Sequence, residues 1–151
     1  MFRGYDELNM DAKGRIGLPT RYHERVLAGC QGRFVITVDL REKCLALYPL
    51  NEWEAIEAGL NRLPSSNPES ARVKRRLIGH ATEVGMDATG RLLLSPELRK
   101  FASLEKAVVL AGQGKKCEVW DKQAWDALQA RMEEVDISSP DLAAAIDNLA
   151  L

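Results

Sequence analysis

Few side chains in this sequence are of the kinds that do covalent chemistry, and their spacing is poor for it. The two histidines, His23 and His80, have no HxxxH, CxxC or CxxH partner nearby, which speaks against a zinc site. Cys30, Cys44 and Cys117 are odd in number and widely spaced, a pattern that predicts free thiols in a reducing cytoplasm. Cys44 and Cys117 open apolar runs, where a small buried hydrophobe is the expected role. The alternative, a thiol nucleophile, needs one of these cysteines within hydrogen-bond reach of a histidine. Gly112 and Gly114 suit a hairpin turn better than a phosphate-binding loop. The expectation is no catalytic residue, no metal and no cofactor.

A different constellation stands out because it occurs twice. Residues 10–15 read Met-Asp-Ala-Lys-Gly-Arg and residues 86–91 read Met-Asp-Ala-Thr-Gly-Arg, an offset of 76. Asp11 and Asp87 can bind nearby backbone N–H groups in a tight turn, and Gly14 and Gly90 supply the positive φ such turns need. Turn formation alone does not require Arg15 and Arg91. Either each arginine pairs with its aspartate to fix the turn, or each presents a guanidinium suited to phosphate oxygens or to bidentate reading of guanine. The latter is favoured by further basic residues near the motifs: Arg3, Lys13, Arg21 and Arg25 in the first copy, Arg99 and Lys100 in the second.

The elements that must position these motifs are duplicated too. Apolar alternation before each motif predicts a short strand, and RIGL and RLLL after it predict another. Pro19 and Ser95-Pro96 predict helix starts, with helices over 20–28 and 96–102 and Gly29 ending the first. RFVITVDL, REK and CLALYP predict a hairpin, answered by EKAVVLAGQ, GKK and CEVWD. At an offset of 72, a helix near 51–63 with Trp53, Ile56, Leu60 and Leu63 on one face is answered by Trp125, Leu128, Met132 and Val135, all expected in the core. Pro-Ser-Ser-Asn-Pro at 64–68 separates the copies, and a helix starting at Pro68 carries Arg72, Lys74, Arg75 and Arg76. A last short helix places Leu142, Ile146 and Leu149 along one stripe, expected to be a docking face.

The 151 residues carry 21 Lys+Arg and 22 Asp+Glu, a net charge of −1, with 46% hydrophobic residues. This is an ordinary globular composition, which excludes disordered and disulfide-scaffold classes. No apolar run is long enough to span a membrane, and MFRGYDELNM lacks the apolar core of a signal peptide. Neutrality also excludes binding to nucleic acid by bulk charge. The balance is uneven, however: residues 1–130 hold 20 basic and 17 acidic side chains, whereas 131–151 hold one basic and five acidic. The acidity lies in the tail, away from both motifs.

Two D-x-x-x-R motifs, with the opening MFRG, the segment LALYPLNEWE and RRLIGHATEVGMDATGRLLLSPELR, resemble the MraZ family along the whole chain. That family is similar to the AbrB-like (SpoVT-AbrB) DNA-binding domains. The resemblance implies a mainly β, α+β fold in which two tandem copies form a swapped-hairpin, double-split β barrel with flanking helices. The implied organisation is a first domain over 5–52 with its helix to about 63, and a linker and basic helix over 64–80. A second domain over 81–124 follows, with its helix to about 135, and then an acidic tail helix over 136–151. The resemblance further implies a ring-shaped homo-oligomer, cytoplasmic and nucleoid-associated. Such a protein binds direct repeats in double-stranded DNA at the promoter of the division and cell-wall gene cluster, including its own gene, as a repressor. No membrane or small-molecule partner is implied.

Carried over by residue, the DNA-binding motif maps to Asp11, Lys13, Gly14 and Arg15 and to Asp87, Gly90 and Arg91. Arg15 is the expected chief contact, supported by Lys13 and Arg3. Two departures, Thr89 for Lys13 and Ser95 where a proline is common in the family, predict a weaker role for the second copy. A ring repeating one turn several times gains avidity, ~10²–10⁴-fold if the DNA repeats match its spacing. The competing expectation is an oligomeric protein-interaction or scaffold module in which D-x-x-x-R only locks turns. An antitoxin of AbrB-like type is disfavoured, since its usual form has one motif copy and a disordered tail.

Overall fold

The computed structural model describes residues 1–151. The first copy comprises β1 (Tyr5–Asn9), β2 (Arg15–Gly17), a 3-10 turn (Thr20–Tyr22), α1 (His23–Cys30), β3 (Arg33–Val38), β4 (Leu45–Pro49) and α2 (Leu50–Asn61). Then α3 (Pro68–Leu77) leads into the second: β5 (Thr82–Gly85), β6 (Arg91–Leu93), α4 (Pro96–Phe101), β7 (Ala107–Gly112), β8 (Cys117–Asp121) and α5 (Lys122–Met132). A final helix, α6 (Pro140–Asp147), follows. The fold is mixed α+β, more helical than "mainly β" conveys, and no helix is long and apolar enough to cross a membrane.

The two copies exchange their first strands. The six-stranded antiparallel sheet runs β1-β7-β8-β4-β3-β5, so β1 of the first copy pairs with β7 of the second, and β5 of the second pairs with β3 of the first. The registers match under an approximate two-fold: Asn9 opposes Ala107 as Gly85 opposes Arg33, and Leu45 opposes Val119 as Leu47 opposes Cys117. The strands after the motifs, β2 and β6, leave this sheet and pair only with each other.

Strand alternation then builds three layers. Phe34, Ile36 and Val38 of β3 and Val108 and Leu110 of β7 face the main core, joined by Ile16, Leu18, Leu92 and Leu94 from the β2–β6 ribbon and its exits. Tyr22, Val26, Leu98 and Ala102, from α1, α4 and their ends, close the same core. The other face of the sheet carries Val35 against Trp53 and Leu60 of α2, and Val109 and Ala111 against Trp120 and Trp125. Burial on both faces explains why β3 and β7 read as near-continuous apolar runs, the buried Thr37 of β3 donating its hydroxyl to the Leu77 carbonyl.

Two expectations need correction. Gly29 does not stop α1; the helix continues to Cys30 and ends in a left-handed Gln31 (φ 53°) followed by Gly32 (φ 72°), whose N–H bonds to the Val26 carbonyl. The second Trp-bearing helix buries only the start of its stripe: Trp125 is buried, but Met132 is exposed and Val135, 72% exposed, lies beyond the helix. The reason lies in what covers each helix. In the first copy, α3 lays Val73 and Leu77, with Ile78 beyond it, on the Trp53–Leu60 cluster, capped by Asn67, whose carboxamide oxygen accepts from the N–H groups of Glu69 and Ser70. At the offset of 72, Pro68 and Leu77 correspond to Pro140 and Leu149, so α6 is the counterpart of α3. Yet α6 buries none of its residues, and Leu142 and Leu149 of the expected docking stripe are exposed.

Candidate nucleic-acid interface

Each motif folds as a turn closed by its aspartate. Asp11 Oδ1 accepts the N–H groups of Lys13 and Arg15, both at 2.9 Å, and Oδ2 accepts from Arg15 Nε at 2.7 Å. The Gly14 N–H returns to the Asp11 carbonyl at 3.0 Å. The second turn repeats this: Asp87 Oδ1 accepts from the N–H groups of Thr89 and Arg91 at 2.9 Å, and Oδ2 from Arg91 Nε at 3.1 Å. The Thr89 hydroxyl adds a further donor to Asp87. Gly14 (φ 88°) and Gly90 (φ 81°) occupy the left-handed positions that a side chain would strain. Donation to the carboxylates, first by the Arg15 and Arg91 backbone N–H groups, holds Asp11 and Asp87 at a pKa of about 2, below the usual carboxylate range.

The ribbon puts both arginines on one side. Gly17 opposes Arg91 and Arg15 opposes Leu93 across the antiparallel pair, so these four residues share a face while Ile16 and Leu92 point into the core. Leu93 on that outer face is 51% exposed. The ends are tied crosswise, the Leu18 N–H donating to the Gly90 carbonyl and the Leu94 N–H to that of Gly14, each at 2.9 Å. Both readings left open by the sequence therefore coexist chemically. Each arginine spends Nε on its own aspartate, which fixes the turn; on these partly exposed side chains Arg15 retains both Nη groups, whereas Arg91 retains Nη2, its Nη1 lying 3.5 Å from Asp11 Oδ2.

Of the expected site residues, Asp11, Lys13, Gly14 and Arg15 and Asp87, Gly90 and Arg91 come together around the ribbon. Arg3 does not join them. It lies before β1, beyond the end opposite the turn, its carbonyl accepting from the Tyr22 hydroxyl at 2.6 Å. Strand β1, at about 3.3 Å per residue, separates it from Asp11. Arg21 is likewise engaged there, paired with Asp6.

Two side chains missed as site components sit against the motif glycines. His23 Nε2 donates to the Leu18 carbonyl at 2.6 Å, and its ring lies over Gly90 of the other copy. Arg99 Nε donates to the Leu94 carbonyl at 3.1 Å, and its guanidinium lies over Gly14 of the other copy. The 76-residue offset pairs His23 with Arg99 and was the available signal.

The thiols do not suit the role of a nucleophile. All three thiols are buried, and Cys30 donates to the Val26 carbonyl. Burial pushes the Cys44 thiol well above its usual range and Cys117 up to about 12. Asp39, Cys44 and Glu118 converge, and the Lys116 ammonium lies 3.8 Å from Asp39, supplying a positive charge to this acidic group.

The family described as "MraZ protein, putative antitoxin-like" matches this chain twice in tandem, over residues 1–76 and 77–148. The chain belongs to the MraZ family. A "Transcriptional regulator MraZ" of Halorhodospira halophila is 47% identical over the full length of both chains, as is one from Escherichia coli O127:H6. Another, from Erwinia tasmaniensis, is 52% identical over 90% of this chain and 88% of its own length. MraZ relatives are thus named as regulators of transcription, and the family is not one of enzymes. The boundary between the two matches, at residues 76 and 77, falls at the end of α3 and so separates strands that pair across it.

Proposed function

We propose that this chain is a cytoplasmic, nucleoid-associated transcriptional repressor that reads double-stranded DNA through its ribbon. It engages direct repeats in the promoter of the division and cell-wall gene cluster, including its own gene. The observation that carries this reading is the common outer face of Arg15 and Arg91, each guanidinium oriented by its aspartate while keeping Nη donors for a ligand. A two-stranded ribbon is narrow enough for the DNA major groove, and an arginine with free Nη groups suits guanine or phosphate. The strand exchange between halves supports the swapped-hairpin, double-split barrel as the architecture of each unit. The protomer acts as part of a ring-shaped homo-oligomer, because one pair of turns gives few phosphate contacts and repetition gives avidity.

An electrophoretic mobility assay on the region upstream of the protein's own gene tests this. Retarded complexes that Arg15→Ala abolishes, with fold and oligomer intact, are expected. Unaltered binding by that variant, or its unfolding, would instead favour turns that only lock a scaffold.

A further inference from the structure

The two turns are alike in backbone and unlike in surroundings. At the first, Met10 N–H bonds to the Lys106 carbonyl; at the second, Met86 N–H bonds to the Gly32 carbonyl. Lys106 and Gly32 are therefore equivalent positions, and Lys106 is exposed beside the motif. Lys13 of the first turn is Thr89 in the second, and Arg99 over Gly14 is His23 over Gly90. The residue after Arg99 is exposed Lys100, and that after His23 is exposed Glu24. Glu105, next to Lys106, runs against the trend, its equivalent being neutral Gln31. Arg33, beside the second turn and paired with Glu83, also runs against the trend, its equivalent being Ala107. Lys13, Lys106, Arg99 and Lys100 nonetheless gather permanent positive charge at the first turn.

We infer that Arg99, carried by the second copy, is a DNA-phosphate contact of the first copy's turn, and that this composite turn is the principal phosphate-binding end of the protomer. The inference rests on the DNA-binding reading above and adds to it a residue and a direction. Nε of Arg99 is fixed by the Leu94 carbonyl, which orients the guanidinium plane against Gly14 and leaves its Nη groups for phosphate. Because Gly14 has no Cβ, the guanidinium approaches closely; a Cβ there would stand 2.7 Å from Cζ. Through this contact the halves act on DNA together: removing charge from the second copy weakens the first copy's turn.

The test is fluorescence anisotropy with a labelled duplex from the region upstream of the protein's own gene, measured across salt concentrations. One phosphate contact contributes about 0.9 to the slope of log K against log salt, or about eightfold in affinity per tenfold change in salt. Arg99→Gln is expected to lower the slope by that amount for each engaged protomer. Arg99→Lys, which keeps the charge but loses the planar fork, is expected to retain most of the slope. A wild-type slope and affinity in Arg99→Gln, while Arg15→Ala still abolishes binding, would overturn this inference alone. Equal losses in Arg99→Lys and Arg99→Gln, with a lowered melting temperature in both, would overturn it in favour of a packing role. No binding by the wild-type protein would overturn the DNA reading itself.

Discussion

Arg91 of the second copy reaches Asp11 of the first: its Nη1 lies 3.5 Å from Asp11 Oδ2 while its Nε holds Asp87 at 3.1 Å. Arg15 has no such second carboxylate, being held by Asp11 alone at 2.7 Å. Arg91 must therefore give up more intramolecular attraction to engage a ligand. Arg15→Ala is expected to cost ~1–3 kcal/mol of binding per engaged site, the scale of one bidentate base contact. Arg91→Ala should cost less. Mobility shifts on both variants check the order; an equal or reversed ranking would show that the bridge has no influence.

The motif glycines should be intolerant where Gly17 is not. A Cβ at Gly90 would lie 2.2 Å from His23 Cε1, on a backbone with φ 81°, so Gly90→Ala is expected to destabilise by more than ~1 kcal/mol. Gly17 meets nothing within 4 Å and lacks positive φ, so Gly17→Ala should be neutral or slightly stabilising. Urea denaturation of the two variants separates them. A Gly90→Ala protein as stable as wild type would refute the close packing of His23 on this turn.

Acid should loosen the turns over a defined range. Asp11 and Asp87 have a folded-state pKa of about 2 against an ordinary value of 3.8. With folded values depressed, their stabilisation is present above the ordinary pKa and is lost as pH falls toward 2. Asp11→Asn and Asp87→Asn should flatten the pH dependence of stability between about 4 and 2. Carboxylate titration by NMR gives the direct reading, and a midpoint near 3.8 for either residue would contradict it.

Core and tail should respond oppositely to removal. Leu92, on the ribbon's buried side with no exposed surface, should cost ~2–5 kcal/mol as Leu92→Ala. Deleting residues 136–151 should leave the melting temperature of the protomer within a degree or two, because α6 buries none of its residues. Calorimetry at low protein concentration checks both. A large drop on deletion would mean that the tail packs on its own chain.

What could be read from the residues follows from what local chemistry encodes. The Asp–Gly turns, the helix start at Pro68 and the Ser95 start all lie where their residues place them, because each acts within a few residues. Gly29 misled because glycine marks helix ends only by tendency, and Gln31 took the left-handed position instead. Met132 and Val135 misled because their spacing specifies a face but not whether anything covers it. The partner of β1 was illegible for the same reason: alternation sets which side a residue faces, not which strand lies beside it. The 76-residue offset relates His23 to Arg99, but only the crossing of the two halves puts each over the other copy's glycine.

The crossed strands bear on how the chain comes to exist at all. Neither half can complete a sheet by itself, since β3 lacks its neighbour until β5 is made, and β1 waits for β7, nearly a hundred residues on. Folding has to await synthesis of most of the chain, and long-range pairing of this kind is slow. Conversely, the peptide connecting the halves contributes proximity more than structure. Severed in the 64–67 segment, the two fragments should find each other and rebuild the same sheet between separate molecules, as if the single chain were a dimer whose subunits had been sewn together.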